Sequence, residues 1–364
     1  MAIGLPSIDI TFKKLAATLI ARSARGVVAL IIKDDTDATY ALKEYRSASS
    51  VEAIKYTAQN IKYIKDVFTG VTGVGGASRV LVVPVAVDSE DAVTEAVGRL
   101  GSRKYNWIGL AAGTPEEQTA LAAYIKEQRN AKKGFKCVAF NVTNPDSTHV
   151  VNFVNPTITF TSGETVTGDS FVPRLLGLLA GLPLTRSSTY VVFDDVASVE
   201  EPSDLEAAVN AGKFVLFNDE ETVRVARGVN SLVTLFNTVT DDFKKIVIVE
   251  TMDLIREDIS TTFKNDFLGR YKNKYDNQVL LITAINAYFD TLASEDLLDN
   301  TFSNRADVDV ESQRAAWIAF GKTQAEEWDD QTVKNNSFGS KVFLGGNIKI
   351  TDAMEDMQFD IELE

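Results

Sequence analysis

Two stretches of this chain, "GVVALIIKD" at 26–34 and "RVLVVPVA" at 79–86, are near-continuous apolar runs with no polar alternation. A strand of that kind has no solvent face. Both of its sides must be covered, which in practice means a parallel sheet sandwiched between helices. The sequence between and after the runs supplies those helices in turn. Helical pattern fills roughly residues 49–69, and "SEDAVTEAVGRL" places Val93, Ala96, Val97 and Leu100 on one face. After the strand "NWIGLAA", Thr114, Pro115 and Glu117 spell a capping box with proline in the first turn, and Gly134 closes that helix. "KCVAFNV" and "HVVNFV" continue the rhythm as strands. A β-α-β-α-β order with apolar strands predicts an α/β fold whose core is a mostly parallel, doubly wound sheet.

Farther on, "SFVPRLLGLLAGLPL" reads as a very apolar helix stopped by Gly181 and Pro183, and "YVVF" and "KFVLFND" read as strands flanking a short helix near 203–211. Beyond about residue 231 the pattern turns to long helices. One stripe is Ile246, Val249, Met252, Ile255 and Ile259, begun by Thr240, Asp241 and Asp242; another is Val279, Ile282, Ile285 and Leu292. A helix near 310–319 precedes a polar link, and the strands "KVFLGGNIKI" and "MQFDIELE" follow it. The organisation expected is a strand arm at 1–25, an α/β core at 26–230, a helical region at 231–340 and a strand hairpin and arm at 341–364.

Composition removes several function classes. With 37 basic against 51 acidic side chains the net charge is −14, which disfavours direct nucleic-acid binding. No apolar run approaches the roughly 18 residues of a membrane span, and "MAIGLPSIDITFKK" lacks signal-peptide pattern, so a chain made in a cytoplasm without membrane insertion is expected. The single cysteine, Cys137, fits a small core hydrophobe. The glycine stretch "GVTGVGGASR" at 70–79 follows a helix and precedes a strand, the reverse of a dinucleotide fingerprint, and reads as a flexible connection. His149, the only histidine, reads as a structural or surface residue. Asp34, Asp35 and Asp37 read as a solvated strand exit; Asp307, Asp309 and Glu311 as an acidic helix start; Lys132, Lys133 and Lys136 as cations at a helix end. No catalytic, cofactor-binding or metal-ligating residue is assigned. An α/β enzyme with a pocket at the strand carboxyl ends is the alternative, as is a self-assembling shell or tube that never shortens.

The two ends carry the more telling pattern. Ile8, Ile10 and Phe12 alternate with Asp9, Thr11 and Lys13; Met357, Phe359, Ile361 and Leu363 alternate with Gln358, Asp360, Glu362 and Glu364. This is the period of a half-buried strand, and such segments are templates for pairing with another chain. Addition of a strand to a neighbour's sheet gives a head-to-tail contact that propagates into a filament. Ile348 and Ile350 join those seven apolar residues as expected anchors between subunits, with Met357 and Leu363 on the same face as Phe359 and Ile361.

Three stretches, "LPSIDITFKKLAATLIARSARGVVALIIKD", "RLLGLLAGLPLTRSSTY" and "GSKVFLGGNIKITDAMEDMQFDIEL", resemble in order and separation the contractile tail sheath proteins of bacteriophages and phage-tail-like bacteriocins, especially the short sheaths of Gram-positive hosts. The resemblance spans essentially the whole chain. It implies a non-enzymatic structural subunit without cofactors, polymerised helically around a tail tube. Terminal arms would pair with neighbouring copies while the bodies swing outward on contraction. The partners it implies are other copies of the chain, the tail tube protein, and baseplate and tail terminator proteins, in a particle tail assembled in the bacterial cytoplasm. It also implies a charged helix gripping the tube. Two segments fit: Glu326 to Lys334, with Glu326, Glu327, Asp329, Asp330 and Lys334, or the helix from Glu311 to Phe320.

Overall fold

The computed structural model describes residues 19–236 and 238–363, so the expected anchors Ile8, Ile10 and Phe12 lie outside the described residues. The chain divides into two compact units: one from Ser23–Glu257 with the chain from Thr351 onward, the other from Asp258–Ile350 with the described residues before Ser23.

The first unit is built on a seven-stranded sheet. Across it lie Lys213–Phe214, Val150–Phe153, Lys136–Phe140, Trp107–Leu110, Val27–Lys33, Arg79–Val85 and Lys43–Tyr45. Every neighbouring pair is parallel except the last, where Lys43–Tyr45 runs antiparallel to Arg79–Val85. The apolar run at 27–33 lies inside the sheet, between Trp107–Leu110 and Arg79–Val85, and its residues divide between two cores. Val28, Leu30 and Ile32 face helices Ala58–Phe68 and Gly168–Gly181; Val27, Ala29 and Ile31 face helices Ala92–Leu100 and Pro115–Asn130. Each valine, leucine or isoleucine among them contributes roughly 1.5–3 kcal/mol by burial, and Cys137 is fully buried in the second core. The doubly wound reading is therefore correct.

Local chemistry explains the helices. Thr114 accepts the Glu117 amide while the Glu117 carboxylate accepts the Thr114 amide at 2.7 Å, the expected capping box. The apolar helix contains Pro173, which has no N–H for the carbonyl of Asp169. The Ala112 amide donates to that carbonyl instead, at 3.2 Å, so the proline leaves no acceptor unused.

Several expectations are corrected. The glycine stretch is a packed joint rather than a flexible link: Arg174 donates to the carbonyls of Thr69 and Gly70, and a Cβ on Gly181 would lie 1.8 Å from the Gly75 carbonyl oxygen. Asp34 is buried, not solvated; it accepts the amides of Thr36 and Thr57 and the Asn60 side chain at 2.7–2.8 Å, tying the strand end to the next helix. "YVVF" lies antiparallel to residues 223–225, bridging Val192 to Arg224 through backbone hydrogen bonds of Tyr190, Val191 and Phe193, and is too short for a full ladder. "KFVLFND" divides between the sheet edge at Lys213–Phe214 and a hairpin, Leu216–Asp219 with Thr222–Val225. A small antiparallel sheet of Thr157–Phe160, Thr165–Thr167 and Val196–Val199 was not expected; its strands are short and carry little apolar pattern.

In the second unit the main helix is Tyr275–Ser294, with Ile282, Ile285 and Leu292 buried and Val279 exposed. Strand Arg305–Val308 pairs antiparallel with Leu344–Asn347. Asp307 therefore belongs to a strand, and Asp309 caps helix Val310–Ala319 by accepting the Ser312 amide at 2.9 Å. Expected at about residue 231, the change of unit falls at 257/258, inside helix Ile246–Thr262. The reason is that the first half of this helix carries Glu250 and Asp253, which pair with Lys136 of the sheet.

Candidate assembly surfaces

The C-terminal segment has two parts with opposite environments. Residues 352–356 are fastened to the first unit: Asp352 pairs with Lys245, Asp356 with Arg227, and Glu355 reaches Ser187, Thr189, Arg227 and Lys245. Immediately beyond, Met357 is 90% exposed, Phe359 73%, Ile361 69% and Leu363 95%. Among the described residues, 357–363 make no backbone hydrogen bond and belong to no sheet. An alternating segment with every large apolar side chain in solvent is a strand without a sheet. Burying four such groups is worth roughly 1.5–3 kcal/mol each before ordering losses.

The second unit holds a sheet with an open edge. Asn286, from helix Tyr275–Ser294, accepts the Ala306 amide at 2.7 Å and donates to the Ala306 carbonyl at 3.1 Å, closing the far edge of strand Arg305–Val308. Ala306 and Gly346 face each other across the ladder. Because Ala306 spends its polar groups on Asn286, the ladder bonds fall on the flanking pairs, as antiparallel alternation requires. The amide of Asp309 accordingly bonds the Phe343 carbonyl and that of Asp299 the Lys349 carbonyl. Parity then turns the amides and carbonyls of Leu344, Gly346 and Ile348 outward. The expected hairpin within 341–364 is thus replaced by pairing of Leu344–Asn347 with Arg305–Val308, and Ile350 bridges Leu298. Ile348 and Ile350 are half-buried in their own unit, whereas Met357, Phe359, Ile361 and Leu363 are free of it.

The two charged segments proposed to face a tube are adjacent in structure. Helix Val310–Ala319, the turn Thr323–Glu327 and the short helix Asp330–Asn335 share an aromatic cluster of Trp317, Phe320, Trp328 and Phe338. Lys322 lies over the Trp317 and Trp328 rings at 4.9 and 4.6 Å, a cation–π clamp. Three of the candidate charges have local duties: Asp329 caps its helix at the Thr332 amide, Asp330 pairs with Arg314, and Lys334 pairs with Asp307. Glu326 and Glu327 are exposed, and Phe320 beside them is 75% exposed.

Sequence reasoning missed a buried charge cluster in the first unit. Lys136, at the start of its strand, contacts Glu250 at 2.9 Å and Asp253 at 2.8 Å, and Asp253 lies 3.0 Å from His149 Nε2. Lys136 is therefore a buried ion-pair partner rather than a cation serving a helix end. Burial works against its charge, but Asp253 and Glu250 overcome it and raise its pKa. Burial holds the His149 imidazole below its ordinary value despite Asp253, whose own carboxyl is lowered by Lys136 and His149 against the effect of burial. A cleft of about 380 Å³ beside the cluster is lined by Arg129, Lys132, Thr148, His149, Asp253 and Arg256, among others. It opens at the amino ends of strands 136–140 and 150–153. Open α/β sheets hold their ligands at the opposite, carboxyl ends. There Gln118 donates to the Leu110 carbonyl and accepts the Phe140 amide, and Glu117 pairs with Lys33, filling the crevice with the protein's own side chains.

Comparison with known proteins agrees with an assembly role. Residues 238–364 match the phage tail sheath C-terminal domain. The chain is 32% identical over 366 residues to a tail sheath protein of Clostridium phage phiCD119, covering 99% of each. The crystal structure of a sheath tail protein from Desulfitobacterium hafniense superposes with a TM-score of 0.68 at 15% identity, over 83% of this chain and 94% of that one. The helical sheath of the anti-feeding prophage in its contracted state superposes with a TM-score of 0.69 at 14% identity over both whole chains.

Proposed function

This chain belongs to the phage tail sheath family as a structural subunit of a contractile sheath, and on that premise we propose that its copies are joined by donation of residues 357–363 to a neighbour's open sheet edge. The observation that carries this is complementarity within one sequence: an alternating segment with no sheet of its own, and a two-stranded sheet with one edge closed by Asn286 and the other open at Leu344, Gly346 and Ile348. Three outward residues offer six polar groups. At a net ~0.5–1.5 kcal/mol per hydrogen bond, the backbone contributes about 3–9 kcal/mol before ordering losses, and Phe359 and Ile361 add apolar burial. Donor and acceptor differ, so the contact is head-to-tail and repeats.

The same mechanics serve contraction. A ladder of backbone bonds holds whatever the bodies around it do, so subunits can repack without separating, and no cofactor or catalytic step is required. The N-terminal segment with Ile8, Ile10 and Phe12 takes a second strand position in this scheme. The surface carrying Glu326, Glu327 and Phe320 faces the tail tube, with baseplate and terminator proteins at the ends of a sheath assembled in the host cytoplasm.

Complementation tests the reading. A chain lacking 357–364 keeps the acceptor and loses the donor. Ile348→Pro keeps the donor and removes an outward amide, leaving the ladder to Arg305–Val308 intact. Each alone is expected to stay unpolymerised, and a mixture to give a one-to-one complex that does not grow. Normal tubes from either variant alone would refute the assignment.

A further inference from the structure

Two of the stretches that carry the resemblance, "RLLGLLAGLPLTRSSTY" and "ITDAMEDMQFDIEL", meet in the first unit through one carboxylate. Ser187 Oγ lies 2.8 Å and Thr189 Oγ1 2.6 Å from Glu355 Oε1, while Arg227 Nε and Lys245 Nζ lie 3.2 and 3.4 Å from Oε2. Ser187 Oγ accepts the Thr189 amide and Thr189 Oγ1 accepts the Gly228 amide, so the Thr189 O–H donates to Glu355, while the Ser187 O–H lies between Glu355 Oε1 at 2.8 Å and Thr189 Oγ1 at 3.0 Å. Gly228 permits this close fit, since a Cβ there would lie 3.0 Å from Ser187 Oγ and 2.5 Å from Ser188 Oγ. The Glu355 side chain is 5% exposed; that of the next residue, Asp356, is 81% exposed.

We propose that Glu355 is the positioning residue of the donor strand: seated in the Ser187–Thr189 loop, it fixes the point and direction from which residues 357–363 leave the subunit. The proposal rests on the strand-donor reading above. Its physical basis is reach. Residues 357–363 in extended form span about 23 Å at ~3.3 Å per residue. If residues 351–356 came loose, the root of the strand would wander by about 13 Å, from ~5–6 Å × √n for a flexible chain. Strands in a sheet are only ~4.8 Å apart. A loose root therefore reaches a neighbour without selecting its position, whereas a seated Glu355 selects one. The flanking pairs Asp352–Lys245 and Asp356–Arg227 are partly exposed and contribute little alone.

The test uses the full chain with Met354→Cys carrying a spin label. Met354 is fully exposed, and the one native cysteine, Cys137, is buried. The parent is expected to show a slow-motion component that is lost in Glu355→Ala, and equally in Ser187→Ala with Thr189→Ala, which removes the receptor instead and serves if the first variant fails to fold. Tubes from both variants are expected to form but to lose the sharp layer lines of helical order. Retention of the slow component, or of full helical order, overturns the proposal. Loss of tubes on deleting 357–364 together with well-ordered Glu355→Ala tubes would sink the anchor and leave the donor reading standing. Normal tubes from the deletion would sink the donor reading itself.

Discussion

Replacing Phe359 and Ile361 together with alanine separates assembly from folding. Both side chains are already about 70% in solvent in the subunit, at 73% and 69%, so their loss removes little burial from the folded chain. Surface changes of this kind stay within about 0.5 kcal/mol of the parent in unfolding experiments. In a neighbour's sheet each side chain would be worth roughly 1.5–3 kcal/mol on complete burial. Counting the exposed two-thirds, the pair contributes about 2–4 kcal/mol to each contact, which at 1.4 kcal/mol per decade is a factor of roughly 30–1,000 in affinity. The expected outcome is an unchanged thermal midpoint with a rise of that order in the concentration at which tubes appear by light scattering. An unchanged threshold, or a subunit destabilised as much as its assembly, would refute the reasoning.

Acid should loosen the root of the donor strand. Burial favours protonation of Glu355, but the Thr189 and Ser187 hydroxyls with Lys245 and Arg227 outweigh it and hold the carboxyl below its ordinary value. A depressed carboxylate stabilises the seated form above its unfolded pKa and loses that contribution as pH falls through the depressed value; the label at residue 354 should become mobile only in that acid window. Lys136→Met should cost about 3 kcal/mol in urea unfolding, the lower end for a broken buried pair, because Glu250 and Asp253 lose their one buried cation and keep only the partly exposed Arg25 and Arg256; a change under 1 kcal/mol would contradict the ion-pair account. Asn286→Ala should lower stability by roughly 1–3 kcal/mol by leaving the Ala306 amide and carbonyl unpaired, a loss that Asn286→Asp, which restores only the acceptor, should recover in part.

What the sequence revealed follows the range of the interactions. The apolar strand at 27–33, the Thr114–Glu117 box and the helix near 310–319 are local patterns, and the structure contains them all. The burial of Lys136 and His149 is not legible in the sequence because the carboxylates that pair with them, Glu250 and Asp253, lie over a hundred residues away, in helix Ile246–Thr262. Glu355 was missed for the same reason, one acid among many until Ser187 and Thr189 are folded against it. Asp34 read as a solvated loop acid because nothing in "KDDTDATY" shows that Thr57 and Asn60 close over it. The alternation at 357–363 was legible, but the edge it complements was not: its parity depends on Asn286, a helical residue whose side chain imitates a strand.

A cryo-electron microscopy map of the assembled sheath, sharp enough to trace the backbone, tests the central claim most directly. The account expects residues 357–363 of each copy to lie along Leu344, Gly346 and Ile348 of another, with Glu355 still seated on its own Ser187 and Thr189. Density showing that segment folded onto its own subunit, with the 344–348 edge of every copy in solvent, would contradict it.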